Sequence, residues 1–265
     1  MWCFNRKKKK VVKPNIIWLD ETDSTNNYLK NYIPASDEKI CVVVADYQEA
    51  GRGQGDNTWE SERGQNLLFS IVVHPLMVPV HSQFLLSMAE GLALKEALDK
   101  YTEAITLKWP NDVYWKDKKI GGTLIENTLG GGHIKNCIFG TGIDVNQTEF
   151  KSSAPNPISL KNILGSDVDR KKLMDEIIES FTKYYAMIEN GQYGEIINKV
   201  VRYEIGKIAE REVIAEINVQ QERTTDDCCI FDDTHIAAMV SGYQGDFSLL
   251  MFPVFILVTG YRYFA

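Results

Sequence analysis

Between Ala45 and Trp59 the chain reads ADYQEAGRGQGDNTW, with Gly51, Gly53 and Gly55 at every second position. Neither a helix nor a packed strand suits this spacing, because each glycine costs about 0.5–1 kcal/mol in an element interior. The stretch is therefore read as a loop, delivered by the strand-like run Ile40 to Ala45 and left through a second apolar run, Asn66 to Val73. Its glycines let backbone N–H groups approach an anion closely, and Arg52 among them supplies a permanent, forked cation. A flexible, cationic loop between two buried strands reads as a lid over a ligand. The plainer alternative is a mobile hairpin connection that carries one arginine.

With 265 residues, 44% of them hydrophobic, the chain has material for one large domain and a small one. Its 29 basic and 36 acidic residues leave a net charge of −7, which argues against binding DNA through phosphate neutralisation. Five cysteines (Cys3, Cys41, Cys137, Cys228 and Cys229) with no CxxC indicate neither a disulfide framework nor a zinc site, and a reducing cytoplasm is the expected location. The four histidines form no HExxH arrangement. No apolar run reaches the ~18 residues of a bilayer span, since Pro253 interrupts the longest, Phe247 to Val258, so no membrane partner is expected. The N-terminal MWCFNRKKKKVVKP has no apolar stretch behind its basic run and reads as a solvated tail, not a secretion signal.

Along the chain, Asn15 to Leu19 has strand character and runs into the polar string DETDSTNN. Ser24, Thr25 and Asn26 then stand at a strand-to-helix junction, where spacing alone favours a helix cap and the alternative is recognition of a polar ligand head. Ser82 to Tyr101 and Val168 to Glu189 carry apolar residues at helical period, and a further helix or turn reaches Val201. Thr106 to Asn127 reads as a hairpin through Pro110 and Asn111 that returns from Lys119 to Glu126, with Lys108, Asp112 and Lys119 on one side if the register alternates. Gly121 and Gly122 lie inside a strand there, which marks close approach of a ligand or another backbone. Asn136 to Val145 gives another buried strand, and beyond Arg202 the pattern breaks into short β-type segments.

GRGQG after a strand, KWPND at 108–112 and KKIGG at 118–122, together with STN at 24–26 and Gln48, make the sequence similar to the biotin protein ligases, from about Ile16 to Leu160. The resemblance implies an α/β fold: a class II synthetase-like catalytic domain with a mixed sheet flanked by helices, over 15–201, after a basic tail at 1–14. A small SH3-like β-barrel would occupy 202–265. It also implies the ligase-only class, without the N-terminal DNA-binding domain. The reaction implied has two steps. Biotin's carboxylate attacks the α-phosphate of ATP to give biotinyl-5′-AMP, and a lysine of a biotin carboxyl carrier protein then displaces AMP.

Carried over to this sequence, Ser24, Thr25, Asn26 and Gln48 would bind the ureido head of biotin, and Gly121 and Gly122 would give its rings room. Arg52, Gly53 and Gln54 would close over the carboxylate and phosphates, Trp59 would wall the ligand, and Lys119 would stand near the carboxylate. Arg52, Trp59, Lys108, Asn111, Asp112 and Lys119 would contact ATP, Arg52 and Lys119 would be catalytic, and Asp112 would be the ligand for Mg²⁺. Two departures stand out: the family loop often reads GRGRRGR where this one has Gln54, Gly55, Asp56 and Asn57, and Asp144 stands where asparagine is usual. A lipoate-type ligase and a biotin-binding module without catalysis are the competing expectations.

Overall fold

The computed structural model describes residues 14–32, 39–55, 57–108, 111–151 and 156–209. Strands form where β-branched and aliphatic residues cluster: β1 (Asn15–Leu19), β2 (Ile40–Ala45), β3 (Leu67–Val73), β4 (Ile105–Lys108), β5 (Asp112–Trp115), β6 (Lys118–Gly130) and β7 (His133–Ile143). They form a single sheet in the order β1-β2-β3-β7-β6-β5-β4. Only β1 and β2 run parallel; the other neighbours are antiparallel. The helices are α1 (Thr25–Lys30), α2 (Phe84–Leu98), α3 (Leu160–Leu164), α4 (Arg170–Glu189) and α5 (Tyr193–Ala209). This is the mixed sheet flanked by helices that the family resemblance implies.

Successive side chains of a strand point to opposite faces, and the two faces here have different cover. On β3, Leu67, Phe69, Ile71 and Val73 join the main core with residues of α2, α4 and α5, whereas Val72 joins a smaller cluster with Leu29 of α1, Cys41, Val43 and Ile138. On β7, Cys137 and Phe139 belong to the helix side and Ile138 to the α1 side. Gly140 and Gly142 therefore face the α1 side, and Thr141 faces the helices. Phe139 meets Phe181 of α4 edge-on at 5.5 Å, and Phe181 stacks with Tyr185 at 6.0 Å. Each such buried ring contributes about 1.5–3 kcal/mol. Asp169 caps α4 by accepting the backbone N–H bonds of Lys171 and Lys172 at 2.9 and 3.2 Å, which fixes where that helix starts.

Some boundaries differ from expectation. The strand read from Asn136 begins at His133, and the one read from Lys119 to Glu126 runs on to Gly130. The added residues pair backbone to backbone, and among them Ile134 is buried in the main core. Helix α5 passes through Arg202 to Ala209, across the domain boundary placed at 202, and buries Ile196 and Val200 in its first part. The basic tail at 1–13 and the segment 210–265, where the β-barrel was expected, lie outside the described residues.

Glu90 breaks the apolar pattern of α2. It is 4% exposed, and burial pushes its carboxyl up to about 7, against hydrogen bonds from Thr123 and Thr141 that pull it down. Since the folded value lies above the ordinary 4.5, the folded state holds the proton more tightly. Stability from this group is then fully present below about 4.5 and is lost as pH rises toward 7. Glu90→Gln removes the titration, so relative to wild type it should gain on the order of 3 kcal/mol between those limits and level off above them. Urea unfolding at pH 5 and pH 8 checks this; a constant difference between the two proteins would refute it.

Candidate functional site

At the N-terminus of α1, Ser24 occupies the cap position with extended backbone, but its side chain makes no capping bond. The polar triplet turns inward instead, and Ser24, Thr25 and Asn26 are all buried. Gln48 Oε1 accepts from the Thr25 N–H at 2.8 Å and from its hydroxyl at 3.0 Å. Ser70, projecting from β3 toward α1, lies 2.7 Å from Thr25 Oγ1 and donates to Asn26 Oδ1 at 2.6 Å. Asn26 Nδ2 donates to Glu126 Oε2 at 2.8 Å, and Lys30 Nζ reaches the other oxygen of Glu126 at 2.8 Å. Burial works to raise the Glu126 carboxyl, but bonds from Lys30 and Asn26 and the charge of Arg52 hold it below the usual range. The result is a cluster of fixed amide and hydroxyl groups on a buried surface, suited to a small polar head group with both donors and acceptors.

Glycines make the floor beside this cluster. A Cβ on Gly140 would collide with the Asn26 carboxamide, and one on Gly142 would enter the Trp59 indole. Gly122 pairs with Gly142 across β6 and β7, and its Cβ would meet Asp112 Oδ1 at 3.0 Å and Lys119 Nζ at 3.3 Å. A Cβ on Gly121 points the other way, into Ile143. Positions 140 and 142 are two residues apart, so the polar cluster and the Trp59 contact are separated by roughly 7 Å of strand. The sequence marked Gly121 and Gly122 as the residues that make room. In the structure the missing Cβ atoms make room for protein side chains: Asp112 and Lys119 at Gly122, Asn26 at Gly140, Trp59 at Gly142 and Ile143 at Gly121.

At the far end, Lys119 Nζ is 2.7 Å from Asp112 Oδ1 and 5.9 Å from the centre of the Trp59 ring. Its backbone is clamped separately: the N–H donates to Asn156 O at 3.0 Å, and the carbonyl accepts from the Ile158 N–H at 2.9 Å. Asn111 donates from Nδ2 to the Thr123 carbonyl at 2.9 Å, and its own carbonyl accepts from the Thr123 N–H at 2.8 Å, locking the β4–β5 turn onto β6. Trp109 and Pro110 of KWPND lie outside the described residues. Lys108 is the cross-strand partner of Asp112 and so shares its face, but among the described residues its ammonium makes no ion pair there and lies over the Tyr114 ring at 5.1 Å.

The loop from Gly51 to Trp59 is shaped as a narrow turn and not as open chain. Arg52 and Thr58 form a bridge, Gly53 N–H donates to Asn57 O at 2.7 Å, and Trp59 N–H donates to Gly51 O at 3.0 Å. Gly55 takes the left-handed conformation at φ 64°, which favours glycine. Arg52 does not stand with Lys119. Its guanidinium donates to Glu126 Oε2 at 3.2 Å and to Asn27 Oδ1 at 3.1 Å, at the α1 end of the floor. Near Lys119 two buried polar atoms, Trp59 Nε1 and Asp144 Oδ1, have no hydrogen-bond partner among the described residues. Burial and the nearby charge of Glu60 raise the Asp144 carboxyl well above the ordinary value, with Lys119 opposing, so Asp144 holds its proton more tightly than a surface aspartate does.

The sequence model of the Biotin/lipoate A/B protein ligase family matches residues 18–144, which run from within β1 to the residue after β7 and contain the whole glycine floor. The biotin protein ligase from Aquifex aeolicus, in its structure in complex with biotin and ATP, superposes with a TM-score of 0.61 at 33% identity, covering 70% of this chain and 76% of that one. The chain belongs to the biotin/lipoate protein ligase family. The bifunctional ligase/repressor BirA of Bacillus subtilis is 29% identical over 185 residues, which is 67% of this chain and 56% of that protein. BirA of Escherichia coli is 32% identical over 170 residues, or 63% and 52%. This chain thus spans about half the length of these curated relatives.

Of the residues the sequence singled out, Ser24, Thr25, Asn26 and Gln48 lie together at one end of the glycine floor and Trp59, Asp112 and Lys119 at the other. The structure adds Ser70 and Glu126 as hydrogen-bond partners of Asn26, which the sequence did not single out. A lone serine in an apolar strand is a weak signal, although Ser70 does interrupt LLFSIVV on the face opposite Phe69 and Ile71. Glu126 ends the apolar part of β6 and looked like an ordinary strand-end charge.

Proposed function

We propose that the protein is an ATP-dependent biotin protein ligase: it forms biotinyl-5′-AMP and transfers biotin to a lysine of a biotin carboxyl carrier protein. The observation that carries this reading is the glycine floor of β6 and β7, with a buried donor–acceptor cluster at one end and Lys119, held by Asp112, at the other. A ureido head needs acceptors for its N–H groups and donors for its carbonyl, and Thr25, Asn26, Gln48 and Ser70 supply both. The acyl chain would run from that cluster past Trp59, which packs on Gly142, and bring the carboxylate toward Lys119.

Two anions must then meet, and the ammonium of Lys119 offsets their repulsion while charge builds on the α-phosphoryl oxygens. Carboxylate oxygen bonds to the α-phosphorus, pyrophosphate leaves, and in the second step the carrier amine attacks the acyl carbon and AMP leaves. Gly53 and Gln54 would close over the carboxylate and phosphates. Arg52 would join them by leaving Glu126, and a narrow turn over the mixed anhydride excludes water. Mg²⁺ would neutralise phosphate charge when bound with the nucleotide. Asp112, with Asn111 beside it, is the residue that would hold it, and no cluster of three metal-binding side chains exists among the described residues. That set suits an ion carried mainly on phosphates and water.

The test is biotin-dependent exchange of pyrophosphate into ATP. Exchange with biotin supports the reading, exchange only with lipoate would move the protein to the lipoate branch, and no exchange despite biotin binding would leave a binding module. Glu126→Ala should remove three charge-assisted bonds, from Asn26, Lys30 and Arg52, and weaken biotin binding by roughly tenfold or more. Calorimetric titration with unchanged affinity would show that the Asn26 orientation does not depend on that carboxylate.

A further inference from the structure

We propose that Glu90 is a positioning residue of the ligase site: from α2, behind the sheet, it fixes the spacing of β6 and β7 through Thr123 and Thr141 and thereby sets the glycine floor on the opposite face. The inference rests on the ligase reading for its functional consequence and on geometry alone for its mechanical one. Thr123 and Thr141 are direct cross-strand partners, with hydroxyl oxygens 3.1 Å apart. Both hydroxyls lie at hydrogen-bond distance from the same Glu90 oxygen, Oε1, at 2.7 and 3.0 Å. All three side chains are buried.

A carboxyl group in a core is costly unless bonded, and an aliphatic trio of similar volume would pack there without that cost. What the polar trio adds is direction: two hydroxyls converging on one carboxyl oxygen define one separation of the two strands and one seat for the helix beneath them. Each threonine alternates with the floor glycines, Thr123 following Gly122 and Thr141 standing between Gly140 and Gly142. Thr123 also carries both backbone bonds to Asn111. The floor has little tolerance, because Asn26 and Trp59 already fill the space of the missing Cβ atoms at Gly140 and Gly142. A shift of one strand against the other would move the head-group cluster relative to Lys119, and a misplacement near 1 Å costs on the order of 10²-fold in rate.

The experiment compares wild type with Glu90→Gln, with Glu90→Leu, and with the triple variant Glu90→Leu/Thr123→Val/Thr141→Val, each checked for folding by circular dichroism and urea unfolding. Glu90→Gln keeps an acceptor for both hydroxyls and should keep biotin affinity within about threefold of wild type, the level expected when hydrogen-bond geometry is retained. The triple variant should be at least as stable as wild type yet bind biotin roughly tenfold or more weakly, and amide hydrogen exchange across 121–123 and 140–142 should be faster than in wild type. A stable triple variant with wild-type affinity and wild-type protection would overturn the proposal, since a merely structural role tracks stability. If wild type itself fails to bind biotin, the ligase reading falls. The exchange arm still decides whether Glu90 pins the floor.

Discussion

Lys119→Ala is expected to lower biotin-dependent pyrophosphate exchange by roughly 10²- to 10³-fold, the cost of removing one preorganised transition-state contact. The side chain is well placed for a large effect. Its ammonium is fixed by Asp112 at 2.7 Å and lies near the Trp59 ring, at the end of the floor away from the head-group cluster. The fold should tolerate the loss, because the two backbone bonds of Lys119 to Asn156 and Ile158 do not involve its side chain. The Lys119–Asp112 pair is partly exposed, at 30% and 21%, and such pairs contribute no more than about 1 kcal/mol to stability. Exchange assays beside urea unfolding separate the two effects. A folded mutant with near-normal exchange would remove Lys119 from the chemistry.

Gly140→Ala should abolish most biotin affinity, by roughly 10²-fold, while leaving the helix side of the sheet intact. The added methyl would lie 2.7 Å from Asn26 Cγ and 2.8 Å from its Nδ2, closer than real Cβ contacts allow. Asn26 cannot yield cheaply, being held by Ser70 at 2.6 Å and by Glu126 at 2.8 Å. Swinging it out breaks both bonds, and the one to the carboxylate alone costs about 1.5–3 kcal/mol. No backbone strain arises, since Gly140 is not among the left-handed glycines. Gly130→Ala, on the β6 end of the same hairpin, is the control: its Cβ would make only ordinary contacts, at 3.9 Å and beyond, with Lys135. Calorimetric titration with biotin compares them, and equal affinities for the two variants would mean that Asn26 does not recognise the ligand.

The sequence by itself determined what depends on short-range pattern. Short continuous apolar runs placed β2, β3 and β7, and helical period placed α2 and α4 to within a few residues, because a buried strand is apolar on both faces and a core-facing helix repeats its buried positions at a fixed spacing. GRGQG, KWPND, KKIGG and STN were legible for a related reason: glycine, a fixed cation and small polar side chains at set intervals reflect demands made by a ligand on local backbone. Tertiary structure decided the partners. Ser70 and Asn26 are 44 residues apart, Asn26 and Glu126 are 100 apart, and Glu90 and Thr141 are 51 apart. These meetings follow from β7 lying between β3 and β6, an order that no local pattern encodes. Arg52 makes the same point, since its loop position was readable but its choice of Glu126 over the Lys119 end was not. A side chain's period fixes the face it occupies; which charge or amide waits on that face is set by strands brought together from distant parts of the chain.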